Sequence, residues 1–122
     1  MDNDSASSGF SIWIDADACP REVRDLAWRN ALGRRIRTVF VANSFLWLPD
    51  SEYLVFELVP PGADKADDHI VEKAGPLDLA VTGDIPLAAR LVERGIMVLS
   101  PRGEEMTQAN IGERLAMRNL MD

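Results

Sequence analysis

The sequence predicts a three-layer α/β/α sandwich built on a mainly parallel sheet of about five strands. Several short runs are nearly continuous in apolar and β-branched residues, as strands buried on both faces are. Between them apolar residues recur at helical spacing. Proline- and glycine-rich breaks separate the two kinds of segment, which gives the strand–helix alternation of a parallel sheet covered by helices.

The first strand is Ile12-Trp13-Ile14, and it ends in Asp15-Ala16-Asp17. Side chains alternate along a strand, so Asp15 and Asp17 share a side if the extended conformation persists that far. Pro20 suits the first turn of a helix, Val23, Leu26, Ala27 and Ala31 follow at helical spacing, and Gly33 offers a C-terminal cap. Residues 36–42 form the second strand, ending at Asn43-Ser44. Residues 45–52, with Trp47, Pro49 and Asp50, read as a connection or a short helix.

Residues 53–59 are the third strand, stopped by Pro60-Pro61-Gly62. A helix over 63–74 follows, with Ala66, Ile70, Val71 and Ala74 on one face and Asp64, Asp67 and Asp68 near its amino end. The fourth strand, 77–82, leads through Gly83-Asp84 into a helix carrying Leu87, Ala88, Leu91 and Val92, closed by Gly95. Residues 96–99 are the fifth strand and 100–103 a loop. Thr107 caps a last helix bearing Ile111 and Leu115. That helix runs to the final residue without a stop signal, which allows a longer natural chain.

At 122 residues the chain is enough for one domain, read as 11–122 behind a disordered lead-in over 1–10. No apolar run approaches the roughly 18 residues of a membrane span. The polar amino terminus lacks the basic and apolar parts of a signal peptide. With Cys19 as the only cysteine, a disulfide framework is excluded and a cytoplasmic address expected. The net charge of −7 counts against non-specific binding of polyanions. It does not exclude a nuclease, because clustered catalytic carboxylates inflate the count and a bound cation would offset them.

Six aspartates are candidate ligands for a hard divalent cation, which takes oxygen donors: Asp15, Asp17, Asp64, Asp67, Asp68 and Asp84. Most have a structural alternative. Asp17 and Asp84 each precede a helix and could cap it, and Asp64, Asp67 and Asp68 suit the dipole of a helix start. Asp15 follows three apolar residues with no cap to make, and an unpaired buried carboxylate is costly. A parallel sheet would bring all three acidic segments to one edge, where such sheets place their ligands. His69 could assist them or be an exposed helix residue; Cys19, with no histidine partner, reads as filling. Arg34, Arg35, Arg37, Arg102, Arg114 and Arg118 could meet phosphates or be solvated surface. The three tryptophans read as core or connection packing rather than as base-stacking platforms.

The segments 12–20, 41–43, 62–71, 82–88, 101–104 and 110–118, in that order, resemble the bacterial YaiI/YqxD family, counted among the PIN-like domains. The resemblance implies the PIN-type α/β/α sandwich, with acids from separate segments coordinating Mg²⁺ or Mn²⁺ for phosphodiester hydrolysis. Carried over, Asp15 matches the acid ending the first strand, Asp67 the helical acid and Asp84 the acid of the Thr-x-Asp segment. Asp17 and Asp64 belong to the family's own pattern, whereas Asp68 falls where another polar residue is common. Family members usually continue beyond this chain's end.

The expected function is therefore a metal-dependent nuclease acting on RNA. Asp15, Asp67 and Asp84 would ligate the cation, Asp17 and Asp64 would ligate or orient water, and Asn43, Ser44, Thr82 and Arg102 would meet the substrate. RNA is the expected partner, a homodimer is allowed, and no protein partner is identifiable. Two rivals stay open: a PIN-like module that binds metal or RNA without cutting, and a haloacid-dehalogenase-type phosphatase using Asp15 as nucleophile. The second lacks room for a cap and a clear downstream lysine.

Overall fold

The structure, a computed structural model, describes residues 9–62 and 64–121. The expected lead-in over 1–10 lies, but for Gly9 and Phe10, outside the described residues. In chain order the elements are β1 (Ile12–Asp15), a 3-10 turn (Ala16–Ala18), α1 (Arg21–Arg34), β2 (Thr38–Ala42), β3 (Leu54–Leu58), α2 (Lys65–Lys73), β4 (Leu79–Val81), α3 (Ile85–Glu93), β5 (Met97–Leu99), β6 (Glu105–Met106) and α4 (Gln108–Met121). The six strands form one sheet in the order β3-β2-β1-β4-β5-β6. Every neighbouring pair is parallel except β5–β6.

Strand alternation sorts the core into two faces. Ile12 and Ile14 of β1, with Phe40 of β2, pack against Val23, Ala27 and Trp28 of α1. Trp13 of β1, Val39 and Val41 of β2, Ala80 of β4 and Val98 of β5 face the other way. There they meet Ile70 of α2, Leu87, Ala88 and Leu91 of α3, and Ile111 of α4. The result is the expected three-layer sandwich, with α1 on one face and α2, α3 and α4 on the other. Asp78 fastens the amino ends of β1 and β4 by accepting from Ser11 N–H, Trp13 Nε1 and Gly75 N–H. Among the described residues no helix is long and apolar enough to cross a membrane.

The structure departs from the sequence reading in two places and decides two alternatives left open. A sixth strand, β6, pairs antiparallel through Val98↔Met106 and Leu99↔Glu105; two residues are too few for a period to show. The α1 helix runs through Gly33 and ends at Arg35, left-handed at φ 57, whose N–H reaches Ala31 C=O. Residues 45–50 form neither helix nor strand. Leu46 and Leu48 turn into the α1-side core, while Phe45 and Trp47 are 79% and 65% exposed, so Trp47 is not core packing. Gly95, at φ 83, and Thr107, whose Oγ1 accepts from Asn110 N–H at 3.2 Å, terminate and cap their helices as expected.

Candidate acidic site at the sheet's switch point

From β1 the chain builds outward through β2 and β3, then returns to build the other way from β4. The crevice beyond the carboxyl ends of β1 and β4 is thus the topological switch point, where open α/β sheets bind ligands. Asp15 is the last residue of β1, and Thr82-Gly83-Asp84 is the exit from β4.

One step past the Ile14↔Val81 register, Asp15 and Thr82 meet side by side. Thr82, fully buried, donates its hydroxyl to Asp15 Oδ2 at 2.6 Å and accepts Asp84 N–H at 2.9 Å. Its oxygen is spent joining two acids, so Thr82 sits behind the site and is not placed to touch substrate. Asp84 caps α3 by accepting Leu87 N–H at 3.1 Å through Oδ1. Gly83 crosses the 3-10 turn after β1, its N–H reaching Ala18 C=O at 2.9 Å; a Cβ there would lie 2.6 Å from that oxygen. Only glycine allows this approach.

Asp15 is 3% exposed. Burial pushes its pKa up from 3.8 to about 6, the Thr82 hydroxyl opposes the rise, and the charges of Asp67, Asp84 and Asp17 add to it. Asp67, half-buried on α2, also rises to about 6. Burial is again the leading cause, followed by Asp84 and Asp64, against the nearby cation Arg90 and with a small contribution from Asp68. Each titration feels acids from other segments, which places Asp15, Asp17, Asp67 and Asp84 in one electrostatic neighbourhood with Asp64 at its rim. Among the described residues no three His, Cys, Asp or Glu side chains already stand at ligand spacing. The acids converge as charge without forming a finished cage.

The remaining expected residues are distributed around this centre. The 3-10 turn breaks the extended run at Ala16, so Asp17 leaves the strand, exposed, and accepts Asn43 N–H at 2.9 Å through Oδ2. It does not cap α1, whose N-cap is Pro20 without a side-chain bond. Asn43 and Ser44 are exposed at the end of β2. Arg102 is exposed in the turn after β5, next to Pro101, which abuts Gly83. Asp64, left-handed at φ 65, is exposed ahead of α2. Asp68 pairs with Arg90 Nη2 at 3.0 Å. Arg90 was not anticipated: nothing in the spacing of an exposed arginine on α3 links it to acids on α2.

His69 is outside the acid group; half-buried, its Nε2 lies 2.5 Å from Glu57 Oε1 and its ring meets Trp13 edge-on. Cys19 is buried with Ile12, Ile14 and Phe40, and burial pushes its thiol up to about 12, aided by Asp15 and opposed by Arg24. It is filling. With thiol and imidazole both engaged elsewhere, the donors that converge are all oxygens, which fits Mg²⁺ or Mn²⁺ in kind. Mg²⁺ keeps several waters in its shell, so acids short of ligand spacing would act on it in part through bound water. A largely apolar pocket of about 330 Å³, lined by Ile12, Val23, Leu26, Leu79 and Val81 among others, opens on the α1 face, the opposite side from Asp15.

Fold and site together define a doubly wound α/β domain with a carboxylate group at its switch point. The chain belongs to the YaiI/YqxD family: the family model described as "Uncharacterized BCR, YaiI/YqxD family" matches residues 13–122. A "UPF0178 protein" of Myxococcus xanthus is 54% identical over 112 residues, covering 92% of this chain and 73% of the relative. One of Dechloromonas aromatica is 50% identical over 113 residues, covering 93% and 75%. One of Ectopseudomonas mendocina is 49% identical over 109 residues, covering 89% and 73%.

Proposed function

We propose that this domain is a divalent-metal-dependent phosphodiesterase acting on RNA. One observation carries the reading: Asp15, 3% exposed at the switch point, is pushed up to about 6 while Asp67 and Asp84 press further negative charge on it. Burying one carboxylate among others costs stability in the metal-free protein, a cost that binding a cation would offset. The PIN-like resemblance of the acid-bearing segments points the same way, as analogy.

In this reading Asp15, Asp67 and Asp84 would hold Mg²⁺ or Mn²⁺, with Asp64 at the rim. Such an ion supplies an acidified water and charge stabilisation on a phosphate. Thr82 fixes the orientation of Asp15 and ties it to the start of α3. Asp17, fastened to the end of β2, orients water at the open side. Asn43, Ser44 and Arg102 are the exposed groups that would meet the substrate, and Arg90 tempers the repulsion around Asp67.

The test is single-turnover cleavage of short RNAs and DNAs with Mg²⁺ and with Mn²⁺, wild type against Asp15→Asn. Metal-dependent cutting of RNA that is lost in the variant is the expected result. No cutting of either polymer by well-folded protein overturns the proposal and leaves a binding module.

A further inference from the structure

The irregular segment between β2 and β3 is built against the usual preference. Its two leucines, Leu46 and Leu48, pack into the α1-side core, whereas its two large aromatics, Phe45 and Trp47, are turned out at 79% and 65% exposure. Both rings are braced from behind. Phe45 meets Phe56 of β3 edge-on with ring centres 6.3 Å apart, and Trp47 meets Trp28 of α1 edge-on at 6.2 Å. Trp28 is itself fixed by its Nε1 donating to Asp25 at 3.3 Å, and the Arg29 guanidinium lies 5.6 Å from its ring. The Phe45 and Trp47 rings stay largely open to solvent despite these contacts, and an arginine stands alongside.

The segment that carries these rings starts beside the acid site. Two residues before Phe45, Asn43 N–H is bonded to Asp17 Oδ2. We propose that Phe45 and Trp47 form a base-stacking platform that holds unpaired nucleobases of a strand whose phosphates run to the acid site. The proposal rests on the phosphodiesterase reading above and adds the residues that grip the substrate. Stacking suits a chain of net charge −7, which lacks a general attraction for phosphates and must hold a strand by its bases. Paired bases offer no free faces, so duplexes are excluded from the platform.

The test measures binding in EDTA, where metal-dependent cleavage is silent, using a fluorescein-labelled 12-nucleotide single-stranded RNA of mixed sequence. Its duplex and an abasic 12-mer of the same backbone serve as probe controls. Phe45→Ala and Trp47→Ala are each expected to weaken single-strand binding about ten-fold or more. Phe45→Leu and Trp47→Leu, which keep apolar bulk, are expected to lose nearly as much. The abasic probe and the duplex should bind weakly to every protein, and salt should affect single-strand affinity only shallowly.

Equal binding of abasic and normal strands, or full affinity in the leucine variants, overturns the platform. So does sedimentation showing that the alanine variants dissociate a dimer, because the aromatics would then be an interface between copies. Stacking-dependent binding without metal-dependent cleavage leaves the platform standing and sinks the enzyme reading. Cleavage untouched by the aromatic variants does the reverse.

Discussion

Replacing Asp15 with asparagine should stabilise the metal-free protein at neutral pH. A carboxyl raised from 3.8 to about 6 places a penalty of about 3 kcal/mol on its ionised form in the folded state. The sign follows from proton counting. Between pH 6 and 3.8 the folded protein holds a proton on Asp15 that the unfolded chain has released, so stability from this group grows as pH falls. Above pH 6 the full penalty stands. Asparagine escapes the charge penalty and still offers an oxygen to the Thr82 hydroxyl, but its amide N–H groups remain half-satisfied in a buried place. The net gain expected at pH 7.5 is therefore about 1–2 kcal/mol, a rise of some 3–8 °C in Tm on the usual scaling.

Urea unfolding of both proteins in EDTA, at intervals from pH 7.5 to pH 4, measures it. The advantage of Asp15→Asn should be largest above pH 6 and fade towards pH 4. Asp67 titrates in both proteins and so drops largely out of the difference. Adding Mn²⁺ should close the gap from the other side, because a ligand present at 100 times its Kd stabilises by about 2.7 kcal/mol and only the wild type binds it well. A variant less stable than wild type at pH 7.5, or an advantage independent of pH, refutes the reasoning.

Two further substitutions test how the acids are positioned. Thr82→Val keeps the volume but removes the donor that favours ionised Asp15 and the acceptor of Asp84 N–H. It should cost about 1–3 kcal/mol and push the Asp15 titration, followed by carboxyl ¹³C NMR, above its wild-type value; an unchanged titration contradicts the assigned bond. Gly83→Ala places a Cβ 2.6 Å from Ala18 C=O, so the two acid-bearing segments must part. A loss of about 1–3 kcal/mol together with weakened Mn²⁺ binding is expected, and full stability on urea unfolding contradicts the close approach.

The sequence was most readable where a residue's local surroundings left few alternatives. Three apolar residues running into Asp15 implied a buried strand ending in a carboxylate with no cap to make, and Asp15 is 3% exposed at the end of β1. The strand–helix alternation likewise led to the layers and to one acidic edge. What stayed hidden depended on partners distant in the chain. Asp17 reads as a site acid with helix capping as its alternative, yet its partner is the backbone of Asn43 at the end of β2. Thr82 looked like a substrate contact, yet its hydroxyl is consumed between two acids. Arg90 carries no local mark of its neighbours on α2. Tryptophans usually pack, and only the inward turn of Leu46 and Leu48 shows that Trp47 faces out. A glycine at 33 promised a helix end, but the chain accepted a left-handed arginine two residues later.

The most direct test of the account is a Mn²⁺ titration of the full chain, followed by electron paramagnetic resonance of the free ion at pH 7.5 and again at pH 5. Wild type is compared with Asp15→Asn, Asp67→Asn and Asp84→Asn, and with Asp25→Asn on α1 as a remote control. Saturable binding is predicted at pH 7.5, weakened about ten-fold or more in each of the three site variants and unchanged in the control. It should weaken at pH 5, because protons return to Asp15 and Asp67 below about 6. No saturable binding at millimolar Mn²⁺, or binding that ignores all three substitutions, would contradict the claim that these acids form a cation site.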